Sequence, residues 1–262
     1  MTWNCLTFAD LHGKLPQIPT KWRNGETVIF LCGDICNNYP DGWEFGIKQG
    51  PIFTPCKNDF EIHQGLWNYR RIDGKEEGRL QNEWVLTRLI PHLLKNGIDL
   101  NNVIVINGNH DWTDFDKYFT NALRLGSKTI EFRGVKIGLL TGVNSFVGEW
   151  NDEITEWSFE NRIAKLDPDI QILVSHAPPH GIMDATTNNE RLGSREITKA
   201  IFGKHSAEIP YFRKLKFHLF GHVHNHHGGE RHEIISELNT RTVKFYNCAN
   251  TRFDFEFTPS ES

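Results

Sequence analysis

The stretch Val103-Ile104-Val105-Ile106-Asn107-Gly108-Asn109-His110-Asp111 decides the fold. Its first four residues are β-branched and apolar with no polar face, so they read as a strand buried on both sides, the usual state in α/β proteins. The run stops abruptly at Asn-Gly-Asn-His-Asp, which places amide, imidazole and carboxylate groups at the strand's carboxyl end. The same construction recurs on either side. Cys5 to Ala9 ends at Asp10-Leu11-His12, and Val28 to Cys32 ends at Gly33-Asp34. Downstream, Ile172 to Val174 ends at Ser175-His176, and Phe217 to Phe220 ends at Gly221-His222-Val223-His224. In open α/β sheets, ligands gather beyond the carboxyl ends of strands, where the loops meet. Strand ends that all carry metal-competent side chains point to one site assembled from distant parts of the chain.

Between these blocks, Leu80 to Leu94 carries apolar residues at 80, 84, 85, 89, 90 and 93, a helical spacing, with Asn96-Gly97 as its stop. Val135 to Leu140 and Thr242 to Tyr246 read as strands of a second sheet, and Glu160 to Leu166 and Arg195 to Phe202 as short helices. Asn37 to about Gly78 is irregular, with many Gly, Pro and aromatic residues, and long stretches of that kind are often functional loops. The economical organisation is a single domain over residues 1–262 with a long loop insertion at about 37–78.

With 38% hydrophobic, 24% charged and 12% aromatic residues, the chain has the composition of an ordinary soluble globular protein. A formal net charge of −4 supplies no global attraction to nucleic acid or anionic membrane, although a local basic patch stays open. The five cysteines are odd in number and have no repeating spacing, which argues against a secreted disulfide framework. Cys32 and Cys36 flank Asp34, but no second cysteine pair follows, so packing roles are favoured over a zinc site. The opening residues lack a basic, then apolar, leader pattern, and no run reaches membrane-spanning length. A cytoplasmic location with no membrane partner is expected.

The strand ends offer Asp10, His12, Asp34, Asn109, His176, His222 and His224 as candidate metal ligands. Carboxylate, amide oxygen and imidazole together suit Mn, Fe, Zn or Ni; the thiolates of structural zinc and the all-oxygen shell of calcium are missing. Taken singly, Asp10, Asp34 and Asn109 would also suit turns, and His176 a satisfied core histidine. Their shared position after buried strands favours ligation.

The five blocks, read as D-x-H, G-D, G-N-H-[DE], a lone His and G-H-x-H in that order, resemble the calcineurin-like metallophosphoesterase family over nearly the whole chain. The resemblance implies a four-layer α/β/β/α sandwich and two divalent metal ions. One ion would be held by Asp10, His12 and His224, the other by Asn109, His176 and His222, with Asp34 bridging. Such a pair clamps a phosphoryl group and makes hydroxide available near neutral pH. His110 would then stabilise transition-state charge and protonate the leaving oxygen, and Asp111 would hold the His110 imidazole in one tautomer. The nearby His226, His227 and His232 read as solvated loop residues.

Ser175-His176-Ala177-Pro178-Pro179-His180-Gly181 with Asp184, Leu192-Gly193-Ser194, and Phe245-Tyr246-Asn247 resemble the branch of class III cyclic-nucleotide phosphodiesterase-like enzymes and small metallophosphoesterase-domain proteins. Cys248-Ala249 departs from that branch, and Asn107 stands where serine/threonine protein phosphatases carry Arg. The implied activity is hydrolysis of a nucleotide-like or other small organic phosphodiester. Alternatives are a phosphomonoesterase, a nuclease on short single strands, or a non-catalytic scaffold of the same fold. The scaffold is disfavoured because every ligand position and His110 are present. Trp43, Phe45, Trp67, Arg70 and Arg71 of the insertion could stack a base and pair with phosphate, or could merely pin a long loop to the surface.

Overall fold

A computed structural model describes residues 2–36, 74–145, 150–203, 210–226, 230–234 and 242–259. Most of the expected insertion, residues 37–73 with Trp43 and Trp67, therefore lies outside the described residues, as does His227.

Among the described residues, β1 (Trp3–Phe8), β2 (Val28–Cys32), β3 (Val103–Ile106) and β4 (Asn121–Leu123) run parallel in one sheet. A second sheet holds β5 (Ser127–Phe132), β6 (Val135–Leu140), β9 (Ile172–Ser175), β10 (Phe217–Phe220), β11 (Glu230–Ile234) and β12 (Thr242–Asn247). Its order is β11-β12-β10-β9-β6-β5, with the four inner strands parallel and the edge strands antiparallel. A short parallel pair, β7 (Val143–Asn144) and β8 (Glu153–Ile154), stands apart. β13 (Arg252–Phe257) closes the first sheet by pairing antiparallel to β1. Its alternation of Phe253, Phe255 and Phe257 with charged residues is a half-buried edge pattern that the strand assignments above passed over.

Alternate residues of each inner strand serve different cores, which explains why those strands are apolar throughout. Cys5, Phe30, Cys32, Ile104 and Ile106 meet Ile137, Leu139, Ile172, Val174 and Leu219 between the sheets. Leu6, Ile29, Leu31, Val103 and Val105 face outward onto Val85, Leu89 and Leu93. On the far side, Leu173, Phe220 and Phe245 pack on Phe159, Ile163, Ile197 and Ile201 of α3 (Glu156–Ile163) and α4 (Arg195–Phe202). Three apolar layers thus separate four structural ones, the expected α/β/β/α sandwich. Cys32 and Cys36 fall in different cores as free thiols, in keeping with packing roles. No helix among the described residues is long and apolar enough to cross a membrane.

The helix expected from Leu80 starts earlier, as α1 (Gly74–Trp84), and runs through a π-turn at Val85–Leu89 into α2 (Ile90–Lys95). The irregular stretch therefore ends before Gly78. Gly78 is a packing residue, since a Cβ there would lie 2.8 Å from the Trp112 carbonyl oxygen. In the π-turn Ile90 N–H donates to Val85 O, one residue further back than in an α-turn. That widening directly precedes Pro91, which has no N–H to give and whose ring would press on the preceding turn. The early start matters to the site: Gln81 Nε2 donates to His110 O at 2.8 Å, and Gln81 Oε1 accepts from Trp112 N at 2.6 Å. α1 braces the loop that follows β3.

Candidate metal centre

The loops beyond β1 and β2 are tied together by their backbones. Asp10 N–H donates to Gly33 O (3.0 Å), His12 N–H to Asp34 O (3.0 Å) and Gly13 N–H to Ile35 O (2.9 Å). Within the second sheet, Gly221 N–H donates to His176 O (3.1 Å), and the sheets meet where Ala9 N–H donates to Cys248 O (3.2 Å). Asp10, His12, Asp34 and His222 hold φ of 54°, 45°, 53° and 70°. The left-handed region is uncommon for residues with a side chain and costs about 1–3 kcal/mol in strained cases. Its repetition at four residues beyond three strand ends turns each side chain inward.

Two glycines make the turns possible. A Cβ on Gly108 would overlap the backbone N and carboxylate of Asp34, and one on Gly221 would overlap the carboxylate of Asp10. Gly108→Ala should therefore push Asp34 out of place, costing about 1–3 kcal/mol as overpacking does. Thermal melting and metal titration should show a lower Tm and weaker uptake; unchanged values would mean that the loop gives way freely.

Asp10 and Asp34 are almost wholly buried. Asp10 Oδ1 accepts from His224 Nε2 (2.9 Å) and its Oδ2 from His222 N–H (2.9 Å). Asp34 Oδ1 accepts from His110 N–H (2.8 Å), which leaves Oδ2 3.2 Å from His176 Nε2. Burial alone would raise both carboxyl pKa values. The hydrogen bond from His224 to Asp10 and the charge of His176 beside Asp34 hold them below the usual range.

His176 tests whether the site fits a cation. Its Nδ1 lies 2.9 Å from Cys32 O, a group that only accepts, so Nδ1 carries hydrogen. Its Nε2 then faces two more oxygens, Asp34 Oδ2 and Asn109 Oδ1 at 3.1 Å. Burial opposes a charge here, yet Asp34 and then Asp10 push the imidazole up to about 10. The oxygens around Nε2 call for positive charge there, a demand that a proton or a metal ion on the Nε2 lone pair would meet. Beside it, at 5.2 Å between rings, burial and the His176 charge lower His222 to about 3, leaving a neutral imidazole with a lone pair to offer.

Two groups of potential ligand atoms, Asp10–His12–His224 and Asp10–Asp34–His176, each lie within 4.8 Å of one another and share Asp10. Asn109 and His222 adjoin the second group through His176. The structure thus brings together all seven side chains singled out from the sequence.

His110 stands beside this set, its Nε2 4.0 Å from Asp34 Oδ2 and its side chain 26% exposed. Burial and the neighbouring imidazoles outweigh Asp34 and lower the ring to about 4. Asp111, expected to orient that ring, has its carboxylate on the backbone, accepting Ile35 N–H (3.2 Å), Cys36 N–H (2.8 Å) and Gly108 N–H (2.9 Å). Those three bonds tie the loop after β2 to the turn after β3. Burial first, and then the Asp34 charge, raise its pKa to about 7 against the pull of these amides. Sequence reasoning missed Gln81, which braces the same turn, and Trp150, whose ring lies 4.2 Å from that of His110. A lone aromatic between two very short strands carries no periodic signal.

A family model described as calcineurin-like phosphoesterase matches residues 5–226. Two UPF0046 proteins of Caenorhabditis elegans are similar in sequence. One is 24% identical over 150 residues, covering 53% of this chain and 32% of the relative. The other is 31% identical over 80 residues, covering 30% and 22%. The matched parts span about a third or less of these curated relatives. The NAD nucleotidase of Haemophilus influenzae superposes over 99% of this chain and 48% of its own, at 11% identity and a TM-score of 0.40. With the family model spanning most of its length, the chain belongs to the calcineurin-like phosphoesterase family.

Proposed function

We propose that this protein is a dinuclear-metal phosphoesterase that prefers small organic, nucleotide-like phosphodiesters. The observation that carries the reading is His176, whose Nε2 meets two oxygens while its Nδ1–H is committed to Cys32 O. In this reading Asp10, His12 and His224 would hold one ion and Asn109, His176 and His222 the other, with the Asp34 carboxylate shared between them. The donor set suits Mn, Fe, Zn or Ni. When bound, such ions supply Lewis-acid charge to the phosphoryl oxygens and an acidified water.

The chain's own residues do the rest. His110, outside the ligand set and neutral through burial, donates a hydrogen bond to a phosphoryl oxygen. The negative charge of a bound substrate would favour a second proton, taken from solvent, on the ring. That proton would pass to the leaving oxygen as its bond to phosphorus breaks and one to the attacking water oxygen forms. Asp111 acts at one remove, holding the turn that carries Asn109 and His110.

A monoester dianion favours additional cationic groups near the ions, and the five sequence blocks contain no Lys or Arg. A diester carries one negative charge and asks for fewer. kcat/KM should therefore be higher for bis-p-nitrophenyl phosphate than for p-nitrophenyl phosphate, measured with Mn, Fe, Zn and Ni separately. A clear monoester preference would overturn the substrate class while leaving the metal site standing.

A further inference from the structure

Trp150 sits on a rigid mount. The next residue, Asn151, donates its N–H to Asn109 O (3.1 Å) and its side-chain amide to Asp111 O (2.5 Å), so it is latched to both sides of His110. Asp152 follows, with φ of 55° and a carboxylate that accepts from both terminal nitrogens of Arg162 (2.7 Å each) and from Thr141 Oγ1 (2.6 Å). This ion pair is mostly buried, at 18% and 6% side-chain exposure. Trp150 N–H itself faces Glu153 Oε1 at 3.4 Å.

From this mount the indole lies 4.2 Å from the His110 ring with their planes 35° apart. The His12 ring meets His110 edge-on at 5.0 Å. The imidazole thus has two ring neighbours, a tilted indole and a second imidazole. Trp150 is only half-buried and belongs to none of the three apolar clusters among the described residues. Among the described residues its ring contact is with His110.

We infer that Trp150 is a positioning residue for His110, fixing the plane in which that ring meets the leaving oxygen. The inference rests on the proposed role of His110. Misplacing a catalytic group by a fraction of its reach costs up to about 100-fold in rate. Three proteins decide it: Trp150→Ala, Trp150→Phe and His110→Ala. In metal-free protein with labelled histidine, the His110 resonances, assigned by their loss in His110→Ala, should carry a ring-current shift. Trp150→Ala should abolish that shift and Trp150→Phe should keep part of it. In metal-loaded protein, Trp150→Ala should lower kcat roughly 10- to 100-fold on a diester with an alkyl leaving group, with KM and metal content unchanged. The loss should be smaller with a p-nitrophenolate leaving group, and Trp150→Phe should recover most of it. If Trp150→Ala loses the shift but keeps the parent's kcat on the alkyl diester, the inference is overturned and the acid role of His110 stands. Equal losses on both leaving groups, with metal lost as well, would show a merely structural role and overturn it too. If His110→Ala is without effect on the alkyl diester, the acid role fails and the inference fails with it, a result that involves no change at Trp150.

Discussion

Asp34→Asn folds but binds metal more weakly by a factor greater than about 100. The substitution is nearly isosteric, and the amide oxygen can still accept the His110 N–H that now lies 2.8 Å from Oδ1. What disappears is the charge of a carboxylate that is 2% exposed and placed against His176. Removing one partner from a buried charge pair costs about 3–5 kcal/mol, and every 1.4 kcal/mol is tenfold in an equilibrium constant. Elemental analysis after dialysis should show the metal content falling well below that of the parent. Melting adds an independent readout: ligands that bind only the native state raise Tm, so metal should stabilise the parent and scarcely move the variant. A variant that keeps its full metal content would remove Asp34 from the ligand set. A parent that takes up no transition metal under any loading condition would sink the dinuclear reading altogether.

His110→Ala has the opposite profile, with metal retained and turnover lost. Its ring is partly exposed and 4.0 Å from Asp34 Oδ2, and its structural bond is made by its backbone N–H, which alanine keeps. A general acid contributes about 100- to 10,000-fold in rate, so kcat should fall by that range on a diester with a poor leaving group. A p-nitrophenolate departs without a proton, so the loss should shrink with that substrate. Should His110→Ala shed metal as Asp34→Asn is expected to, the ring would be a ligand and the division between ligand and acid would be redrawn.

The two variants probe a division that was partly legible in the residues alone. Strands such as Val28–Cys32 and Val103–Ile106 announce themselves because burial on both faces demands an unbroken apolar run, and a polar group cannot follow without ending it. That local rule located every strand end in the site and the candidate ligands with them. It also contained the alternation of β13 and the glycine at 78, both passed over: the one because edge strands signal weakly, the other because a glycine in a helix looks like a loop residue until its neighbour is known.

By itself, then, the sequence determined which side chains stand at the strand ends, and its resemblance to a known family implied the four-layer order that buries the strands. Tertiary structure alone decided what those side chains do to one another. His176 has its tautomer set by Cys32, 144 positions away, and Asp111 spends its charge on amides 75 and 76 positions earlier. Trp150 meets His110 beside Asn151, which is latched across the same turn. Burial is a property each residue carries in its own chemistry and so leaves a local pattern. A hydrogen bond or a ring contact belongs to a pair, and only the packing of two sheets brings the second member of that pair into reach.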